Sequence, residues 1–556
     1  MLGLRWRVVR SRPVALPTST LVALAREPAL RRASLALALY RLAEFGPWVA
    51  MLVYAYDQGG ATATGLVSLG LLVPTAIVAP FAGPLIDRFG ASRVLVAAYA
   101  AQALTMGATA VALLTGSPSA LVYVLGAFTA TTLTVTHPAH AVVSPGLSRT
   151  TEQLVALNAV TGWVLSLGLV LAPALAGVVL AVSTPGAVYA AGAALLALSA
   201  LLVMPLRDQV PPLARGHGAG AGGALRQLDN GARALIRTAA PREVVLVLTA
   251  TFMMVGAFDV LAVTLAIDTL GIGGSGAAYL TAAHGAGALL GAVASFGLIG
   301  RARLVPVIVG AAVLAGVAFV VLGIATTLGI AFAVAAVTGV SRSLLEVTGQ
   351  TLLQRVTTTS MLARVFAFKE GLAMAAWGVG SAAVPLVIAL AGTTGALLFA
   401  GAIVPGLVLL RLRLLLAVDA AVTVSVVTIA LLRSMRVLRA LPVPALEGVA
   451  QEALEVTVAA GDTILRQGDA GDQYYAIADG TVEVSRDGQL LAQLARGEGF
   501  GEIALLRDGV RTATVVATTD ARLIVVRREP FLVAVTGHGE TQAQFEDVAE
   551  GRLSGR

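Results

Sequence analysis

No cysteine occurs in the chain, which excludes disulfides, thiolate metal sites and cysteine nucleophiles and leaves the redox compartment open. Charge is scarce too. Asp, Glu, Lys and Arg make up 12% of the 556 residues, about half the share in soluble globular domains, while apolar residues make up 57%. A purely soluble protein is therefore excluded, and the composition is that of a polytopic membrane protein. Lysine is represented by Lys369 alone, so the net charge of +7 is an arginine charge. Those arginines stand mostly in short loops between apolar segments, where topology accounts for them, and nucleic-acid binding is not expected. The five histidines show no metal-ligand spacing on any soluble stretch. Neither a Walker loop nor a nucleophile–base arrangement occurs, so ATP-driven transport and catalysis by this chain are not expected.

What is present is a series of long apolar runs. A helix needs about 20 mostly apolar residues to cross the hydrocarbon core. By that rule the chain predicts twelve spans, at 33–55, 63–86, 92–115, 119–143, 153–182, 185–206, 242–267, 276–299, 304–325, 328–350, 365–391 and 394–411. Loops on one side carry Arg88, Arg93, Arg149, the run from Arg207 to Arg242, Arg301, Arg303 and Arg355. The opposite loops are short and carry Asp57 and Asp268 but no Lys or Arg. The positive-inside rule then puts both termini in the cytoplasm, as an even count also requires. Residues 1–32, with Arg5, Arg7, Arg10 and Arg12 and broken by Pro13, Pro17 and Pro28, lack the apolar core and cleavage site of a signal peptide. They read as a cytoplasmic arm, either lying against anionic lipid or serving as an unstructured leader.

Ionisable residues inside spans are costly and are functional candidates for that reason. Arg41 and Glu44, three apart in the first span, either pair with each other or contact a polar substrate. Asp259, deep in the seventh, has no local partner and is the candidate for proton coupling or a cationic substrate. Arg342 and Glu346 are spaced for an intrahelical pair. Lys369 and Glu370 stand near a span end, where snorkelling or gate contacts suffice. His137 and His140 flank Pro138 with no carboxylate nearby in sequence, and His284 reads as a packing residue.

The loop 207–241 divides the spans into halves 33–206 and 242–411 and holds the flexible stretch PPLARGHGAGAGGA, then an amphipathic segment, Leu225–Arg237. After the second span comes GPLIDRFGASR, with Gly83, Asp87, Arg88, Gly90 and Arg93. Its glycines permit a tight turn, and Asp87 can face the positive N-terminus of a neighbouring helix. This six-plus-six layout with that loop resembles the major facilitator superfamily, in which substrate binds between the halves. The resemblance implies that Asp87 acts as a latch on the cytoplasmic gate. The matching loop of the second half, GLIGRAR at 297–303, has no acidic residue, so the latch is one-sided. Gly162, Gly168, Pro173 and Gly177 in span five resemble a motif of the superfamily's exporters, although Ala172 stands where a Gly is usual; close helix packing is the alternative account. The superfamily's span-four arginine is missing, which puts its standard proton relay in doubt.

Beyond Arg411 and Arg413 the pattern changes. A linker, 412–424, leads to an amphipathic helical stretch and then, from Val456, to short β-type runs punctuated by Gly461, Gly468, Asp472 and Gly480. Near its end stands FGEIALLRDGVRTATV, residues 500–515. The first amides of a short helix at Ile503–Leu506 have no intrahelical partner and can face an anion. Arg511 can hold a phosphate through its fork of donors, and Glu502 can accept from ribose hydroxyls. Residues 425–556 resemble a cyclic-nucleotide-binding domain, and the resemblance implies a site built from Gly501, Glu502, Ile503, Ala504, Arg511, Thr512 and Ala513; the family closes a C-terminal helix over the base, whereas the residues after Phe531 include Gly537, Gly539 and Gly551, so the lid is either short or supplied by another surface. The expected whole is an all-α polytopic membrane domain with a C-terminal β-roll. It implies a plasma-membrane transporter, exporting a small molecule and regulated by cAMP or cGMP, with cAMP favoured. A membrane-anchored receptor without transport and a constitutive transporter with a structural tail are the rivals. Oligomeric state stays open.

Overall fold

The computed structural model describes residues 27–147, 151–207, 209, 229–233, 235–236, 238–298, 303–324, 327–357, 359–435, 438, 441, 446, 449–450, 453–506, 509–529 and 531–532. The arginines of the N-terminal arm, Arg149, Arg301, most of the central loop and the segment after residue 532 lie outside them. The chain divides into two compact units. The first comprises Met1–Ile299, Pro306–Thr351 and Arg364–Leu412; the second comprises Gly300–Val305, Leu352–Ala363 and Arg413–Arg556.

The first unit is helical: α1 (Pro28–Val78), α2 (Ala82–Phe89), α3 (Ala91–Leu114), α4 (Ser119–Leu147), α5 (Thr151–Val182), α6 (Pro185–Val203), α7 (Ala239–Thr264), α8 (Gly273–Ser295), α9 (Val305–Ile324), α10 (Leu328–Val356) and α11 (Thr359–Ser434), the last two running on into the second unit. Ten helices among the described residues are long and apolar enough to cross a membrane. At a rise of about 1.5 Å per residue, a helix of 51 residues is more than twice the thickness of the hydrocarbon core. Neither of the two longest is one straight rod. In α1 the dihedrals leave the helical region at Gly59 and Gly60 (φ +62°), between the segments expected as spans one and two. In α11 they do so at Gly392 (φ +71°), between the segments expected as spans eleven and twelve. Glycine tolerates that left-handed backbone, which costs other residues about 1 kcal/mol or more.

Helix faces here follow a hydrocarbon solvent. Leu104, Val182, Leu390 and Leu410 are at least three-quarters exposed, an arrangement that water would penalise and lipid does not. Helix α7 is the exception: 83% of its most apolar window is buried, against half or less in the other nine, so it runs through the interior and carries Asp259 there. Small residues let the helices close up. A Cβ on Gly287 of α8 would run into the Ala336 carbonyl of α10, and one on Gly339 of α10 into the His284 carbonyl of α8. Because backbone atoms cannot rotate aside, Gly339→Val is expected to cost at least about 3 kcal/mol and leave little monodisperse protein after detergent extraction. Gly310→Ala, which meets nothing within 4 Å, is the control. Equal recovery of the two variants would refute this packing account.

The second unit carries eight strands: β1 (Leu454–Val458), β2 (Thr463–Leu465), β3 (Gln473–Asp479), β4 (Thr481–Arg486), β5 (Gln489–Ala495), β6 (Gly499–Phe500), β7 (Thr514–Ala517) and β8 (Ala521–Arg527), with a short helix α12 (Glu502–Leu506) after β6. They form two four-stranded antiparallel sheets, ordered β1-β8-β3-β6 and β2-β7-β4-β5. Ile477, Val482, Phe500, Val515 and Leu523 fill the space between them. Tyr474 of β3 joins a second cluster with Leu432 at the end of α11, Met435 and Phe531. Residues 412–424, read from the sequence as a linker, continue α11 as helix. Asp419 on that continuation is buried, and its Oδ1 accepts from Leu304 N at 2.9 Å, immediately before α9 begins.

Candidate functional site

The cassette sits where β6 turns into α12. Gly501 takes φ +95°, and a Cβ there would meet Arg511 Nη1 at 2.7 Å, so both the backbone and the space require glycine. Glu502 follows as the first, buried residue of α12. Arg511 is buried beside it. Its Nη1 donates to Gly501 O at 2.9 Å, its Nη2 donates to Gln473 O at 2.8 Å, and its guanidinium lies 5.9 Å from the centre of the Tyr475 ring. The buried Nε makes no hydrogen bond among the described residues, and no ion pair there involves this side chain. Burial pulls the Arg511 pKa below the usual arginine range, while Tyr475, Asp472 and Glu502 push it back up. A cation so enclosed and lacking a salt-bridge partner is set up to accept an anion. Beside it opens a cavity of about 350 Å³, lined by Glu502, Ala504, Arg511, Thr512 and Ala513 together with Leu490 and Leu491.

Within the helical unit a second set of polar groups converges. Asp259 of α7 accepts two indole N–H groups on one oxygen, from Trp48 of α1 at 3.0 Å and from Trp377 of α11 at 2.9 Å. The two indoles meet edge to face at 5.6 Å. Arg41 and Glu44 form an ion pair, and His137 Nε2 of α4 lies 3.2 Å from both Arg41 Nη1 and Glu44 Oε1. The two histidines of α4 thus part company, because His140 bonds the Tyr99 hydroxyl instead.

Residues 33–385 match the Major Facilitator Superfamily. The chain belongs to that superfamily. Its residues 455–537 match the cyclic nucleotide-binding domain, so a facilitator is here joined to a C-terminal domain of that family. In this second region the facilitator is 42% identical over 82 residues to the cAMP-dependent protein kinase regulatory subunit of Schizosaccharomyces pombe, covering 14% of this chain and 20% of that one. It is 33% identical over 111 residues to the cGMP-dependent protein kinase egl-4 of Caenorhabditis elegans, covering 18% of this chain and 14% of that one. The chain thus spans a fifth or less of the length of these curated relatives. Among solved structures, the regulatory domain of Toxoplasma gondii PKA with cAMP is 24% identical, covers 24% of this chain and 52% of its own, and has a TM-score of 0.22.

The signature loop of this facilitator places Gly90 (φ +87°) at the joint of α2 and α3, where Gly90 N donates to Ile86 O and Val94 N donates to Gly90 O. Arg88 lies over Phe89, Arg93 stands in the first turn of α3, and Gly83 faces open space. Asp87, near the end of α2, is half-buried and makes no hydrogen bond or ion pair with the described residues. The opposite end of the bundle is tied between its halves. There Tyr56 of α1 donates to Asp268, and Ser68 of α1 bonds Ser381 of α11 at 2.8 Å.

Other expectations meet the structure individually. Arg342 and Glu346 approach to 3.9 Å. His284 stacks on Phe258 at 4.5 Å and bonds Thr338. Lys369 does not snorkel: it is buried, paired with Glu370 at 2.6 Å and set over Phe252 and Phe366. Arg486, which the sequence did not single out, lines the nucleotide cavity from β4, with its Nε donating to Thr512 O at 3.1 Å. Trp48, Trp377 and the pairing of His137 with Glu44 were also not anticipated.

Proposed function

We propose that this facilitator is a secondary transporter of twelve spans in the plasma membrane, an exporter of a small organic molecule, with both termini in the cytoplasm. A cyclic nucleotide in the C-terminal domain sets the balance between its access states. Arg511 would grip the phosphate, the amides of Ile503 and Ala504 would face it, and Glu502 would take a ribose hydroxyl. The relatives are named for both cAMP and cGMP, and the higher identity is to the cAMP-dependent one, which supports cAMP. Export rests on the glycines of span five: Gly168 packs against Arg41 and Gly177 against Tyr279, close approaches that the exporter motif would require.

The observation that carries regulation is the composition of the second unit. It contains the nucleotide roll together with the start of α9, the end of α10 and the start of α11, and the Asp419–Leu304 bond ties α11 to the start of α9. A ligand shifts a conformational equilibrium only by its difference in affinity for the two states, and shared structure of this kind would be the route for such a difference. The natural absence of cysteine makes the test direct. In the variant Tyr56→Cys/Asp268→Cys, nucleotide is expected to change the rate of cross-linking between the halves at least threefold. A rate indifferent to nucleotide that binds normally would remove regulation from this reading.

A further inference from the structure

The nucleotide cavity has two chemically different parts. Arg511, Glu502 and the first amides of α12 suit a phosphate and a ribose, which every cyclic nucleotide carries alike. Much of the remaining lining is apolar, with Val484, Leu490, Leu491, Leu494 and Phe500, and such side chains cover a purine without reading its edge. Thr512 and Arg486 are the polar side chains left on that lining. The Thr512 hydroxyl can donate or accept, so it tolerates either base, whereas Arg486 can only donate. Arg486 is the last residue of β4, half-buried, and its Nε is already engaged with Thr512 O at 3.1 Å. Its terminal nitrogens make no hydrogen bond or ion pair with the described residues. A guanidinium anchored through Nε keeps its outer edge, a pair of parallel donors, for a ligand with two adjacent acceptors. Guanine has that pair, O6 and N7. Adenine has N7 beside its N6 amino group, and there a donor would face a donor.

We propose that Arg486 reads the base, and that the regulating ligand is a guanine rather than an adenine cyclic nucleotide. The proposal rests on the nucleotide site proposed above and names its ligand. It departs from the preference for cAMP drawn there from overall identity. Identity weighs the whole matched stretch, whereas the two nucleotides differ only in the base, and the charged side chain left to meet that base is Arg486.

The test is calorimetry on the full chain in lipid nanodiscs with cGMP, cAMP and cyclic inosine monophosphate. The inosine compound retains O6 and N7 and lacks the guanine amino group. Binding of cGMP is expected to be at least about tenfold tighter than that of cAMP, with the inosine compound within about threefold of cGMP. Arg486→Gln offers one donor and one acceptor, the match for adenine, and is expected to lower the preference for cGMP over cAMP at least about tenfold. Each protein is scored by the ratio of its two ligands, so a general weakening from the lost Thr512 anchor cancels. A natural chain that binds cAMP as tightly as cGMP, an inosine compound that binds like cAMP, or a preference unchanged in Arg486→Gln would each overturn the proposal. The inosine comparison needs no variant, so poor folding of Arg486→Gln cannot hide the answer. Binding of both nucleotides without discrimination rejects the role of Arg486 and spares the regulated transporter. Binding of neither rejects the nucleotide site and this proposal with it.

Discussion

Arg511→Ala is expected to weaken cyclic-nucleotide binding at least about 100-fold, as measured by calorimetry on the full chain. Charge-assisted hydrogen bonds in enclosed sites contribute about 1.5–3 kcal/mol each, and every 1.4 kcal/mol is a factor of about ten. A guanidinium gripping a phosphate makes two such bonds, so the estimate is a floor. Stability responds as well, for a separate reason. Arg511 already satisfies the carbonyls of Gly501 and Gln473, and alanine would leave both without that donor, at a cost of about 2 kcal/mol. Arg511→Lys separates the two effects: it retains a charge but loses the planar fork, so binding should fall by an intermediate factor. An alanine variant that binds within threefold of the natural chain would falsify the phosphate role and return the tail to a purely structural reading.

The cassette was legible in the sequence because its demands are local. Positive φ at Gly501, a helix start at Glu502 and the closing Arg511 all fall within a dozen residues, and each residue type has one chemical reason to be there. The apolar helices were legible because hydropathy reports the solvent directly, although ten described helices are long and apolar enough to cross a membrane against twelve expected spans. Partners across the fold were not. Arg486 reaches Thr512 because β4 pairs with β7 in the register Ser485↔Thr514, which spacing along the chain does not reveal. Asp259 meets indoles 211 and 118 residues away, and Glu44 meets His137 at a separation of 93. Those pairings depend on the rotation of each helix about its axis, and a helix apolar nearly all round carries almost no periodic signal to fix it. Asp419 likewise meets its partner, the Leu304 amide, at a separation of 115 residues.

That residue carries the second large effect. Asp419→Ala is expected to leave nucleotide affinity within twofold of the natural chain while abolishing the nucleotide response of the Tyr56→Cys/Asp268→Cys cross-link. The first half has Asp87 in its signature loop; the second-half loop GLIGRAR has no carboxylate of its own. In this structure a carboxylate reaches the end of that loop from α11 beyond the last apolar run, at Leu304 N, where the unsatisfied amides of α9 begin. Losing a buried cap of this kind costs about 1–2 kcal/mol. Allosteric couplings between sites span about 1–3 kcal/mol, so one such bond, made in one access state and broken in the other, is large enough to transmit most of the signal. The proposed nucleotide site, Gly501 to Ala504 and Arg511 to Ala513, does not include Asp419, which is why affinity and response should come apart. Asp419→Asn, still an acceptor but without the charge, should retain part of the response. If the alanine variant answered nucleotide as fully as the natural chain does, the signal would have to pass through the other transport segment of the second unit, the end of α10 and the start of α11, and the cap at α9 would be structural only.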